Sequence, residues 1–159
     1  MVNLTEQLEG YEKSGQLARH AAPIPEIKQH IDTASKWLTD AQRSQNSLET
    51  RFSVANSAGH GLLMAAIKMK GFRPTGERGH RQILYQLLDA LLPAATHSKK
   101  TLSDAHKARN RAEYDGDDLE VTQGQVDDVI DAVKSVKEEV DYLFNAYKKA
   151  LSSSTEQGR

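Results

Sequence analysis

Apolar residues along this chain recur at spacings of three and four rather than in alternation, the mark of helices. Alternating β-branched runs between turn residues are nearly absent, so the reading leaves strands almost no place. One short amphipathic helix covers Leu4 to Tyr11 and ends near Gly15. His20 to Pro25 is extended, because Pro23 and Pro25 restrict themselves and the residues before them. Pro25 then suits the first turn of a helix to about Gln45, with Ile27, Ile31, Ala34, Leu38 and Ala41 on one face. Ser47 is a natural N-cap for the next helix, which runs to about Lys70. That helix turns Phe52, Ala55, Leu62, Leu63, Ala66 and Ile67 inward, has Ala58 and Gly59 for close contact, and stops at Gly71.

A basic loop, Phe72 to Gly79, leads into a helix from His80 to Leu92, and Pro93 marks its end. The next helix starts between Ala94 and Thr101 and closes at Tyr114-Asp115-Gly116. Thr122 and Gln125 form a capping box for the last helix. Its apolar stripe runs through Val126, Val129, Ile130, Val133, Val136, Val140, Leu143, Phe144 and Tyr147. Ser152 to Arg159 reads as a disordered polar tail. The expected architecture is all-α: one domain over residues 1–151, an antiparallel bundle of four to five main helices plus a short N-terminal helix.

Composition narrows the function by exclusion. The absence of cysteine rules out disulfides, thiolate zinc sites and cysteine nucleophiles. Six histidines show no metal-ligand spacing, and no P-loop, dinucleotide fingerprint, nucleophile elbow or His-Glu-x-x-His occurs, so neither metal nor cofactor is expected. The polar N-terminus has no signal-peptide pattern, and Leu62 to Ile67 is far too short to span a membrane. A cytoplasmic protein without membrane attachment is expected.

The net charge of −1 conceals a segregation. Lys68 through Arg111 holds ten Lys or Arg against Glu77, Asp89 and Asp104, a net of +7. Glu113 through Asp141 holds eleven acids against Lys134 and Lys137, a net of −9. Such a distribution suits one phosphate-attracting face, and equally suits solvated neighbouring helices that attract one another. Arg73, Arg78, His80 and Arg81 gather around glycine-rich backbone at a helix start, where amide donors also favour anions.

The run His106-Lys107-Ala108-Arg109-Asn110-Arg111-Ala112-Glu113-Tyr114 resembles the signature of HEPN-domain proteins, an Arg, a polar residue, then three or more residues and a His. Ser14-Gly15-Gln16-Leu17, Pro25-Glu26-Ile27, Leu38-Thr39-Asp40-Ala41, Arg51-Phe52 with Ala55-Asn56, and Gly71-Phe72-Arg73 resemble one uncharacterised HEPN subgroup. The resemblance spans roughly residues 4 to 147. It implies an all-helical homodimer, with two copies of the motif lining one cleft that binds RNA and, in active members, cleaves it without metal. It also implies a toxin or defence setting and a cognate antitoxin or nucleotidyltransferase.

On that resemblance Arg109, Asn110, Tyr114 and His106 are the catalytic candidates, and Arg73, Arg78, Arg81, Lys107 and Arg111 the nucleic-acid-binding ones. Such chemistry pairs a base titrating near neutrality with a fixed cation for the phosphorane. Tyr114 stands where the family has His, and a phenol with a pKa of about 10 is a poor base at neutral pH. His106, three residues before Arg109, shares its helix face and is the substitute. A non-catalytic reading uses the same residues: Arg109 pairs with Glu113, Asn110 ties the helix to a neighbour, and Tyr114 is a core aromatic. The chain is then a helical interaction protein that holds its partner without chemistry.

Overall fold

The computed structural model of the chain describes residues 2–76, 82–116 and 118–157. Helices dominate it, in the order α1 (Leu4–Lys13), α2 (Ile24–Ala41), α3 (Leu48–Met69), α4 (Gln82–Gln86), α5 (Leu88–Leu91), α6 (Lys99–Tyr114) and α7 (Gln123–Gln157). A 3-10 segment, Pro93–Ser98, precedes α6.

The helix ends follow local chemistry. Ser47 Oγ accepts the Thr50 amide at 3.1 Å and opens α3. The capping box before α7 closes in both directions, Thr122 N to Gln125 Oε1 at 2.9 Å and Gln125 N to Thr122 Oγ1 at 3.2 Å. Gly71, at φ +84°, turns the chain out of α3 in a conformation that side chains with a Cβ resist. Pro25 sits in the first turn of α2, as its missing N–H allows. The inward faces match the periodicity: Ile27, Ile31, Ala34, Leu38 and Ala41 of α2 are all buried, as is the α7 stripe from Val126 to Phe144 apart from half-buried Leu143.

Helix α3 is the centre. It packs against both α2 and α7 and also meets α6. A Cβ on Gly59 would lie 3.5 Å from both Leu102 of α6 and Val133 of α7, and one on Gly61 would lie 3.6 Å from the His30 carbonyl of α2. Small residues thus let three neighbours approach one backbone. Arg51 fastens the end of this assembly. Its side chain is buried, donating from Nε to the Ala41 carbonyl at the end of α2 (2.8 Å) and from Nη1 to Gln123 at the start of α7 (3.4 Å).

The structure departs from the sequence reading in three places. Leu17–Arg19 and Phe72–Pro74 pair antiparallel as β1 and β2, with Ala18 opposite Arg73, where the sequence reading leaves almost no place for strands. Three residues are too few for alternation to register, yet the ribbon buries Leu17 and Phe72 and lashes the α1–α2 connection to the end of α3. The helix expected from His80 to Leu92 is divided, with α4 and α5 separated at Leu87; His80 and Arg81 lie outside the described residues. Finally, α7 continues as helix to Gln157, through residues 152–157 of the expected disordered tail, where Ser152, Ser153 and Ser154 are exposed.

Arg51→Ala should lower unfolding stability by about 2 kcal/mol, the scale of a lost charged hydrogen bond at a buried carbonyl. Urea denaturation measures it. Ser152 to Ser154 lie past the packed part of α7 and consist of weak helix formers, so their amides should exchange far faster than those of Val133 to Val140. Hydrogen-exchange mass spectrometry reads that contrast directly.

Candidate nucleic-acid interface

Helix α6 brings the motif together by its own periodicity. His106, Arg109 and Asn110 occupy one face at spacings of three and four, with Glu113 and Tyr114 a turn further on. Leu102 and Ala105 seat the helix in the core, so the motif lies at the margin between buried and open surface.

Arg109 is held at two points. Nη1 donates to Ser57 Oγ of α3 at 2.7 Å, and Nε lies 3.3 Å from Glu113 Oε1. The arginine side chain keeps 32% of its accessibility and Glu113 keeps 50%, so this ion pair faces water. The i,i+4 pair expected on the non-catalytic reading is therefore present. Among the described residues the Asn110 contact stays within α6: its amide nitrogen lies 3.2 Å from Nε2 of His106 in the same helix. An amide nitrogen only donates, so Nε2 accepts, and the ring carries its proton on Nδ1. His106 is buried and its ring stacks on Tyr85 of α4, centroids 4.4 Å apart. Tyr114 is 66% exposed, which overturns its reading as a core aromatic.

The nucleic-acid candidates are spread out. Lys107 and Arg111 are exposed on α6. Arg73 is exposed in β2, its Nη1 donating to the Pro74 carbonyl at 3.4 Å. Arg78 and Arg81, with His80, lie outside the described residues. Ser57 and Tyr85 had no signal in the sequence as site residues. Each acts through a contact between distant segments that periodicity does not encode.

A second polar cluster escaped the sequence reading altogether. Glu26 Oε2 accepts from His20 Nε2 at 2.6 Å and from Lys68 Nζ at 3.0 Å. Lys68 also donates to Nε2 of His30 at 2.9 Å. These contacts join the loop after β1, the first turns of α2 and the last turn of α3. The bonds from His20 and Lys68 hold the Glu26 carboxyl below its ordinary pKa. Burial, reinforced by the Lys68 charge, pushes the His30 imidazole below its own.

Among the described residues no group of three or more His, Asp or Glu is placed to hold a metal ion, and no helix is long and apolar enough to cross a membrane. Compared with known proteins, the chain matches no family model, no curated protein and no solved structure.

The shifts of His30 and Glu26 have one sign. Below the ordinary histidine value of 6.5 the unfolded chain takes up the His30 proton before the folded chain does. Stability is therefore full above pH 6.5 and falls as pH drops through the lowered His30 value. Glu26 adds a second loss as pH falls from 4.5 through its own lowered value. Thermal unfolding across pH 3 to 8 (roughly the window in which carboxylates and histidines titrate) should show both arms. His30→Gln should flatten the upper arm and Glu26→Gln the lower.

Proposed function

We propose that this chain is a HEPN-like module that binds RNA as a homodimer through the α6 face carrying Arg109, in a toxin- or defence-type system. One observation carries the reading: the Arg109 guanidinium is fixed by Ser57 and, among the described residues, paired with a water-exposed carboxylate. An exposed i,i+4 ion pair stabilises by only about 0.3–0.5 kcal/mol. A phosphate accepting paired, charge-assisted bonds from a guanidinium already held in place binds more strongly than that. Glu113 thus occupies a place that a phosphate can take over, while Ser57 keeps the donor aimed.

Binding is favoured over cleavage by the state of His106. Its Nε2 lone pair is engaged by Asn110 and its ring is stacked and buried, which removes it from the role of a base at an open cleft. Tyr114 is exposed, but a phenol is a weak proton acceptor and does not replace the imidazole. The homodimer and the cognate system follow from the family resemblance of α6 and its flanking segments.

A second reading is supported by α7. Asp127, Asp128, Asp131 and Glu138 are exposed on it together with Tyr142, a surface suited to a basic protein partner such as an antitoxin or nucleotidyltransferase. On that reading the chain is a non-catalytic interaction protein.

The discriminating measurement is binding of a labelled single-stranded oligoribonucleotide with EDTA present. Arg109→Ala should weaken binding at least tenfold, on the order of 1.4 kcal/mol. Glu113→Gln should tighten it severalfold by removing the competing carboxylate. Intact RNA after incubation supports binding without cleavage, and sedimentation of the free protein tests the dimer. Equal binding by wild type and Arg109→Ala overturns the RNA reading in favour of the interaction protein.

A further inference from the structure

Helix α3 is covered on most sides, and five of its half-buried residues fall on a single line. Ser53, Ser57, His60, Met64 and Lys68 follow one another at spacings of four, three, four and four. Two features from different helices meet beside this line. Arg109 of α6 docks on Ser57. Trp37 of α2 lies over Gly61, its Cζ3 4.0 Å from where a Cβ would stand. Ser57 and Gly61 are one turn apart, so their side-chain positions are separated by about 6 Å. A guanidinium and an indole therefore flank the same turn of α3.

The indole is 38% exposed, unusual for the largest apolar side chain in the sequence. Beyond it opens a hollow of about 360 Å³ between α2 and α3, lined by Trp37, Thr33, Gln29, His30, Gly61 and the Glu26–Lys68 ion pair. Its size falls within the range of small-molecule sites, roughly 300–1,000 Å³. Thr33 and Gln29 bring hydroxyl and amide groups to its wall. Among the described residues Lys68 spends two of its three N–H donors on Glu26 and His30, and its side chain lines the hollow. The Lys68 charge is already balanced by Glu26, so this end of the groove suits a neutral polar edge rather than a phosphate.

We infer that the hollow is a base subsite, in which an unpaired nucleobase stacks on Trp37 while its phosphate reaches Arg109. The inference rests on the RNA reading above and narrows it to single-stranded RNA, because a base can lie on an indole only when it is out of a duplex. Gly61 lines the hollow, and a Cβ there would touch the Trp37 ring at 4.0 Å.

Trp37 is the sole tryptophan, so its fluorescence reports on this site alone. The experiment titrates the full chain with a short single-stranded oligoribonucleotide and with the matching duplex. Binding is followed both by tryptophan quenching and by anisotropy of a label on the nucleic acid. The expected result is quenching that saturates with the anisotropy signal for the single strand, and at least tenfold weaker binding of the duplex. Trp37→Ala should weaken single-strand binding by about tenfold, at the low end of stacking values. Trp37→Phe should restore most of it, and matching circular dichroism would exclude misfolding. Binding by anisotropy without quenching, with Trp37→Ala equal to wild type, would sink the base subsite and leave the Arg109 reading standing. Absence of any RNA binding by the wild type overturns both. Equal affinity for single strand and duplex overturns the subsite alone.

Discussion

The fold turns on one helix that cannot stand at a surface. Helix α3 buries residues on nearly every side, including Phe52, Ala55, Ala58, Gly59, Leu62, Ala65 and Ile67, and a helix apolar all round must be surrounded. Two helices cannot enclose a third, so α2, α6 and α7 all pack on it, and small residues let them approach. The neighbours do not quite meet along Ser53, Ser57, His60, Met64 and Lys68. That seam holds the polar chemistry that reaches both Arg109 and Lys68. The proposed site is a consequence of how α3 is wrapped, not an addition to a finished scaffold.

Periodicity carried much of this architecture, because burial of a helical face leaves a trace at every third or fourth residue. The α2 face from Ile27 to Ala41, the caps at Ser47 and Thr122 and the stop at Gly71 were all readable. What stayed hidden has a common cause. The ribbon of Leu17–Arg19 with Phe72–Pro74, the dock of Arg109 on Ser57 and the Glu26–Lys68–His30 cluster each join segments far apart in sequence. Pairings of that kind depend on where helices cross, and a single sequence has no term for crossing. The division at Leu87 is subtler, since every residue from Ile83 to Leu92 except Gln86, Asp89 and Ala90 is buried. A run that apolar must be enclosed, and its pattern is silent on whether it is one helix or two.

Arg109 is where the structural and functional readings compete for one side chain. An arginine meant only to hold α6 would be better served by a buried partner, because an exposed pair contributes little. Here the fixed contact is the neutral Ser57 hydroxyl, and the charged contact, Glu113, is the one open to water. That division of labour matters. A neutral partner orients the guanidinium without satisfying its charge, so the side chain is positioned before any anion arrives. Preorganisation of this kind lowers the cost of binding, since the long side chain has already lost its freedom.

Charge placement then decides which surface an anion can approach. The exposed acids of α7, Asp127, Asp128, Asp131 and Glu138, repel a polyphosphate from that helix, whereas α6 exposes Lys107 and Arg111, which at two residues from Arg109 stand on another side of the helix. A chain with net charge −1 has no long-range pull of its own, so any attraction must be local. Few phosphates contacted means a shallow salt dependence, and specificity must then come from something other than charge. The Trp37 hollow, where Lys68 is balanced by Glu26 within the same wall, is suited to that task. Its neutrality is informative: a groove built only to collect phosphate would not spend Glu26 on cancelling its innermost cation.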